Sequence, residues 1–155
     1  MCGRRKRGTP QQGLGRSKGG FTTKIHLRVN ALGLPIAFAL TGGEVSDFKG
    51  YHPLMAEDGP LARVLLADKG YDADFIRQDM DARGGFAMIP TKSNRKEQLP
   101  VEPAIYALRN IIERCFNKLK NSRRLATRYD KTAASYAAFI AICSIKLWFR
   151  HFGVA

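Results

Sequence analysis

The chain has 155 residues, of which 26 are Lys or Arg and 13 are Asp or Glu, giving a formal net charge of +13. That length supports one domain with a real core, and an apolar content of 45% excludes a wholly disordered chain. The charge excess points to a polyanionic partner, most often nucleic acid, with ribosome-type structural binding and membrane-surface binding as duller alternatives.

In chain order, residues 1–20 are rich in Gly, Arg and Lys and contain no acid. Nothing there forms a core, so this stretch reads as a basic flexible arm, and residues 21–155 as the folded domain. The run Gly13-Leu14-Gly15-Arg16-Ser17-Lys18-Gly19-Gly20 lacks the GK[ST] ending and the preceding strand of a phosphate loop. No apolar stretch follows the basic start, so no signal peptide is expected. Residues 21–29 (FTTKIHLRV) and 35–41 (PIAFALT) alternate and carry β-branched side chains. With Asn30-Ala31-Leu32-Gly33 between them they form an antiparallel hairpin. Ser46 or Asp47 caps a short helix reaching about Ala56.

Residues 61–67 (LARVLLA) form a buried parallel strand, with Asp68 just past its carboxyl end. A helix over residues 72–83 closes at Gly84-Gly85, and residues 86–89 (FAMI) form the next strand, so the order strand–helix–strand implies a crossover onto one sheet. A polar, basic loop holding Lys92, Arg95 and Lys96 leads to a helix over residues 106–120. The last helix spans residues 132–152; it is apolar but short and interrupted by Lys146, so it reads as a buried helix rather than a membrane span. Cys2, Cys115 and Cys143 make no CxxC pair and read as reduced thiols of a cytosolic protein, with Cys115 and Cys143 in the core. His26, His52 and His151 have no metal-ligand spacing, which argues against a histidine-based zinc site.

At about 100° per residue, Tyr106, Arg109, Glu113 and Lys120 fall on a helical stripe about 60° wide beside an apolar arc. Eleven Lys or Arg against four acids in residues 92–131 surround that stripe. Read blandly, these are surface charges bordering a core. Asp68 is a second candidate, because ligands collect at the carboxyl ends of strands in open α/β sheets; its bland role is to cap the following turn. Two carboxylates converging from a strand end and a helix are what two-metal phosphoryl transfer needs, and Mg²⁺ prefers carboxylate oxygen. Arg109 and Lys120 would then hold phosphates, and Tyr106 would stack on a base or touch the backbone.

The spacing Tyr106-x2-Arg109-x3-Glu113-x6-Lys120 resembles the Y-R-E-K signature of DDE transposases from bacterial insertion sequences. Asp68-Lys69-Gly70-Tyr71 is similar to the D-x-G-Y/F turn that carries that group's second aspartate. The resemblance runs from about Gly13 to the C-terminus. It implies an RNase H-like α/β fold, a mixed sheet with flanking helices that gathers three carboxylates around two Mg²⁺ ions. By resemblance Asp68 and Glu113 are catalytic metal ligands, and Tyr106, Arg109 and Lys120 contact DNA, joined by Lys92 and Arg95 of the basic loop. The implied activity is cleavage and transfer of double-stranded DNA at element ends and target, in the bacterial cytoplasm and away from membranes.

The chain departs from the pattern in one respect. No Asp or Glu occurs before Glu44, which follows the hairpin, so the first aspartate and its strand have no counterpart. The expectation is a C-terminal catalytic portion, inactive alone, that works by self-association or with an N-terminal transposase part, the two joined by frameshifting or separated in a relic copy. The competing expectation is a catalytically inactive DNA-binding fragment that regulates transposition. A repair nuclease would need the complete carboxylate set.

Overall fold

The computed structural model describes residues 13–17, 20–56 and 62–153. They form an α/β structure, as the sequence implies. Strand β1 (Gly15–Ser17) pairs antiparallel with β2 (Gly20–Val29), and β2 pairs antiparallel with β3 (Pro35–Gly42). The β2–β3 turn is built by Asn30, whose Oδ1 accepts from the Leu32 and Leu34 amides at 3.0 and 2.9 Å. Gly33 takes φ +76° there, and a Cβ would meet Ile111 Cγ2 at 2.9 Å, so both conformation and space require glycine.

A 3-10 turn (Asp47–Gly50) enters helix α1 (Tyr51–Ala56). Ser46 makes no side-chain cap, and Asp47 turns to Lys24 instead, at 2.8 Å. Strand β4 (Val64–Leu66), a 3-10 turn (Lys69–Tyr71), helix α2 (Asp74–Ala82) and strand β5 (Phe86–Met88) follow, with β4 and β5 parallel. Helix α2 ends as its sequence suggests: Gly84 adopts φ +73°, and the Gly85 amide donates to Met80 O at 2.9 Å. Beyond the basic loop lie α3 (Pro103–Ala107), α4 (Asn110–Lys120), α5 (Arg123–Ala126) and α6 (Ala133–His151). Thr132 caps α6 by accepting from the Ser135 amide at 3.1 Å.

Four expectations need correction. Part of the arm is ordered, because residues 15–17 find backbone partners on β2; residues 1–12 lie outside the described residues. The strands form two sheets, β1-β2-β3 and β4-β5, rather than one mixed sheet. Consequently β4 is half-buried along its length, since nothing pairs with its second edge among the described residues. The helix over residues 106–120 breaks at Leu108 and Arg109. There the amides of Leu108, Arg109, Ile111 and Ile112 all bond three residues back, to Ile105, Tyr106, Leu108 and Arg109, a 3-10 tightening that overwinds the stripe.

Two hydrophobic clusters hold the layers. Leu27 of β2 packs with Cys115 and Leu119 of α4, Leu125 of α5, and Tyr136, Ile140 and Cys143 of α6. Tyr51 of α1, Ile76 of α2 and Ile89 after β5 form the second cluster. Among the described residues α6 is the one helix long and apolar enough to cross a membrane, but its inner face belongs to the first cluster. Trp148 Nε1 also ties it to Pro35 O at 2.8 Å. The expected buried helix is thus buried on one face, with Ile142, Ile145, Phe149 and Phe152 exposed on the other.

That asymmetry is measurable. Ile140 is fully buried, so Ile140→Ala should cost about 2–5 kcal/mol. Ile142 is 61% exposed, and Ile142→Ala should change stability by less than about 0.5 kcal/mol. Denaturant titration of both variants checks the assignment of the two faces, and equal losses would refute it.

Candidate active site

Asp68, Arg109 and Glu113 meet at a cavity of about 800 Å³ between the two sheets. Its walls are β2 and β4, with α1 on one side and α4 on the other. Asp68, Glu113 and Asp47 all line it, together with Lys24, His26, Tyr71 and Arg109.

Asp68 leaves the end of β4 and accepts from the Gly70 amide at 2.9 Å, so it caps the 3-10 turn while its exposed carboxylate faces the cavity. A Cβ on Gly70 would lie 2.6 Å from Asp47 Oδ2 and 2.9 Å from Asp68 Oδ1, so the two carboxylates approach the same glycine. Lys24 offsets Asp47: its Nζ contacts Asp47 Oδ1 at 2.8 Å and Val45 O at 2.7 Å. Tyr71 bonds His26 Nδ1 at 2.9 Å, and His26 Nε2 bonds Thr41 Oγ1 at 2.8 Å. Burial pushes the Tyr71 hydroxyl well above its usual pKa, and the Asp47 and Asp68 carboxylates push it further. Burial likewise lowers the His26 pKa, against the pull of Asp47.

On the opposite wall Glu113 lies in the first turn of α4, where a carboxylate suits the helix dipole. Arg109 Nη2 reaches Glu113 Oε1 at 2.6 Å, and the Arg109 guanidinium lies 5.5 Å from the centre of the Tyr106 ring. Tyr106, Arg109 and Glu113 therefore form one contact chain despite the helix break. Glu113 also borders a second hollow of about 820 Å³, lined by Phe21, Phe116, Lys120 and Arg128 among others. Lys120, the last residue of α4, lies on that hollow and away from Asp68.

Lys92 and Arg95 are placed elsewhere. Both are drawn to Asp72, which accepts from the Lys92 amide at 2.8 Å and faces Arg95 at 3.5 Å and Arg77 at 3.0 Å. Arg95 also pairs with Asp74, and Lys92 Nζ lies over the Phe48 ring at 5.5 Å. Burial alone would raise the Asp72 pKa, but the Lys92 amide and the two guanidiniums hold it below the usual carboxylate range. Neither Lys92 nor Arg95 lines the cavity with Asp68 and Glu113.

Sequence reasoning missed Asp47, Lys24 and His26 as parts of this site. Lys24 and His26 stand two apart on one strand, which was a signal for a shared face; nothing local announced Asp47. The donor chemistry suits a hard divalent cation, since Asp47, Asp68 and Glu113 offer carboxylate oxygens. The number does not suffice: among the described residues no three such side chains gather closely enough to hold one.

The family model for the transposase DDE domain matches residues 1–147, and the chain belongs to that family. A Brucella ovis protein named as a transposase for insertion sequence element IS6501 is 33% identical over 134 residues, 84% of this chain and 100% of that protein. A Burkholderia cepacia protein named likewise for insertion sequence element IS402 is 29% identical over 137 residues, 81% of this chain. The aligned part covers 63% of that second relative, less than two thirds of its length. No solved structure matches the chain.

The His26 contacts predict a pH effect with a definite sign. The folded state holds His26 below its ordinary value of 6.5, so above that pH its contribution to stability is fully present. As pH falls below 6.5 the unfolded chain takes up a proton that the folded chain refuses, and stability is lost until the depressed folded pKa is passed. Denaturation curves between pH 7.5 and about 5 should show this loss, reduced in His26→Gln; parallel losses in both proteins would exclude His26 as its source.

Proposed function

We propose that this chain carries part of the active site for divalent-metal-dependent DNA strand cleavage and transfer in transposition, on an RNase H-like framework. The observation that carries this reading is that Asp68, at a strand end, and Glu113, on a helix distant in sequence, line one cavity. Asp68 and Glu113 would hold the metal, with Mg²⁺ the expected ion. When bound, two such ions activate the attacking oxygen and stabilise the leaving one. Among the described residues no three such groups gather closely enough to hold a metal, and the further carboxylate would come from an N-terminal transposase part or from a partner chain.

The chain's own groups do the positioning. Arg109 neutralises Glu113 and is itself placed by the Tyr106 ring. Lys120 lies on the adjacent hollow, where a phosphate of double-stranded DNA would meet it. Lys92 and Arg95 contribute positive potential from the side of α2, their charges partly spent on Asp72 and Asp74. A second reading, a catalytically inactive DNA-binding regulator of transposition, is favoured by the same shortage of clustered ligands.

Three measurements separate these readings. Supercoiled DNA incubated with the purified chain and Mg²⁺ should stay intact; robust cleavage abolished by Asp68→Asn would refute the requirement for a further carboxylate. Mn²⁺ affinity, read by electron paramagnetic resonance, should be weak and fall by about tenfold or more in Asp68→Asn and Glu113→Gln, since even outer-shell losses cost that much. Binding that is unchanged in both variants favours the regulator. Duplex DNA binding should weaken with salt, and Lys120→Ala should lower the log–log salt slope by about 1; an unchanged slope removes Lys120 from the DNA contact.

A further inference from the structure

Helix α6 carries two apolar faces, and the fold uses one of them. Tyr136, Ile140 and Cys143 belong to the first hydrophobic cluster, with Leu147 packed against it. At about 100° per residue the opposite side holds Ser135, Ala138, Ile142, Ile145, Phe149 and Phe152, all of them exposed. Ile142, Ile145, Phe149 and Phe152 keep 53–65% of their surface in solvent. At about 200 Å² per large apolar side chain, these residues leave on the order of 450 Å² open, the size at which an exposed apolar patch marks an interaction site.

The spacing identifies what covers the patch. Its residues are separated alternately by three and four positions, from Ser135 to Phe152. That alternation is the 3.5-residue repeat that keeps a narrow seam against a second helix, whereas a helix lying on a sheet or a lipid surface presents a broader face of 3.6-residue period. A bilayer span also conflicts with the inner face, which is committed to the first cluster.

The seam is complementary to itself in one orientation. Its side chains grow along the helix, from Ser135 and Ala138 through Ile142 and Ile145 to Phe149 and Phe152. In an antiparallel pair Ile142 of one copy meets Ile145 of the other, Ala138 meets Phe149, and Ser135 meets Phe152. Each layer then joins a small side chain to a large one, or two of middle size, and fills evenly. A parallel pair sets Phe against Phe at one end and Ser against Ser at the other, which leaves a wedge-shaped gap. It also gathers Lys146 and Arg150 of both copies at the same end, where α6 has no acid to offset them. Antiparallel pairing separates those cations and opposes the two helix dipoles.

We propose that the outer face of α6 is a self-recognition surface, which pairs antiparallel with α6 of a second copy of the chain across a two-fold axis. Covering the large side chains of both seams removes on the order of 900 Å², near the ~1,000 Å² that marks the lower end of specific interfaces. The pair is therefore a reversible dimer rather than an obligate one. It uses neither Asp68 nor Glu113, so it stands or falls apart from the catalytic reading.

The test uses the whole chain. Sedimentation equilibrium from about 1 to 100 μM, a range that brackets a weak interface, should show a reversible monomer–dimer equilibrium. Ile145→Glu places a charge in the central layer and should raise the dimer dissociation constant about tenfold or more, while circular dichroism shows the variant still folded. Orientation is read separately by disulfide trapping in a Cys2→Ser background. Ala138→Cys mixed with Phe149→Cys should form a linked pair under mild oxidation, and neither variant alone should. In the antiparallel pair, equivalent positions 138 or 149 of the two copies lie about 16 Å apart along the axis, beyond the ~7 Å between Cα atoms that a disulfide can span. A chain that stays monomeric, a dimer indifferent to Ile145→Glu, or either cysteine variant linking to its own kind would each overturn the antiparallel seam. So would seam-dependent binding of a monomeric chain to phosphatidylcholine vesicles, since the face would then belong to a lipid surface.

Discussion

Among the described residues the two sheets share no backbone hydrogen bond, and a buried side-chain bridge joins them. Thr41 of β3, His26 of β2 and Tyr71 after β4 are joined in series through the two imidazole nitrogens. A neutral imidazole offers one donor and one acceptor, so it completes such a series without a charge. The ring is buried, and Gly50 lies against it with no room for a Cβ. This bridge sets where the turn after β4 stands relative to the hairpin. Asp68 is three residues before Tyr71 in that turn, so the bridge also sets where the carboxylate stands.

Electrostatics then decides what the turn tolerates. Asp47 and Asp68 both approach Gly70, and two like charges at close range raise each other's energy. Lys24 answers Asp47 directly, and Tyr71 answers neither, staying protonated as burial and the two carboxylates favour. The glycine leaves space there: a Cβ at position 70 would crowd both carboxylates and oblige them to shift. The D-x-G-Y pattern therefore has a physical reading in this chain. The aspartate caps the turn, the glycine leaves room for a second acid, and the tyrosine anchors the turn to the other sheet.

Much of this was legible in the sequence, for identifiable reasons. The hairpin was readable because Asn30 and Gly33 carry turn chemistry that acts within four residues. The last helix was readable to within a residue at each end because Thr132 caps it locally. Asp68 was readable because an apolar run stops beside it. What was not legible depends on contacts between distant residues. β1 exists because residues 15–17 find β2, although their composition alone carries no strand signal. The tightening at Leu108 and Arg109 has no Gly or Pro to announce it. Asp47 reads locally as a helix cap, and its partner Lys24 lies 23 residues away.

Two acids of the same segment, Asp68 and Asp72, show why position rather than residue type marks the site. Asp72 is buried and meets the Lys92 amide, Arg77 and Arg95, so its oxygens are committed and its loss would take a partner from all three. It is a structural anchor that fastens the basic loop to α2. Asp68 is exposed and spends one oxygen on a backbone amide within its own turn. Glu113 is similar: its single ion pair with Arg109 spans one helical turn, and its side chain is half exposed. Exposed pairs of this kind contribute about 0–1 kcal/mol, little enough to be exchanged for a stronger ligand. The carboxylates that remain exchangeable are the ones that face the cavity, and the one that is locked faces the loop. That division follows from burial and donor count alone.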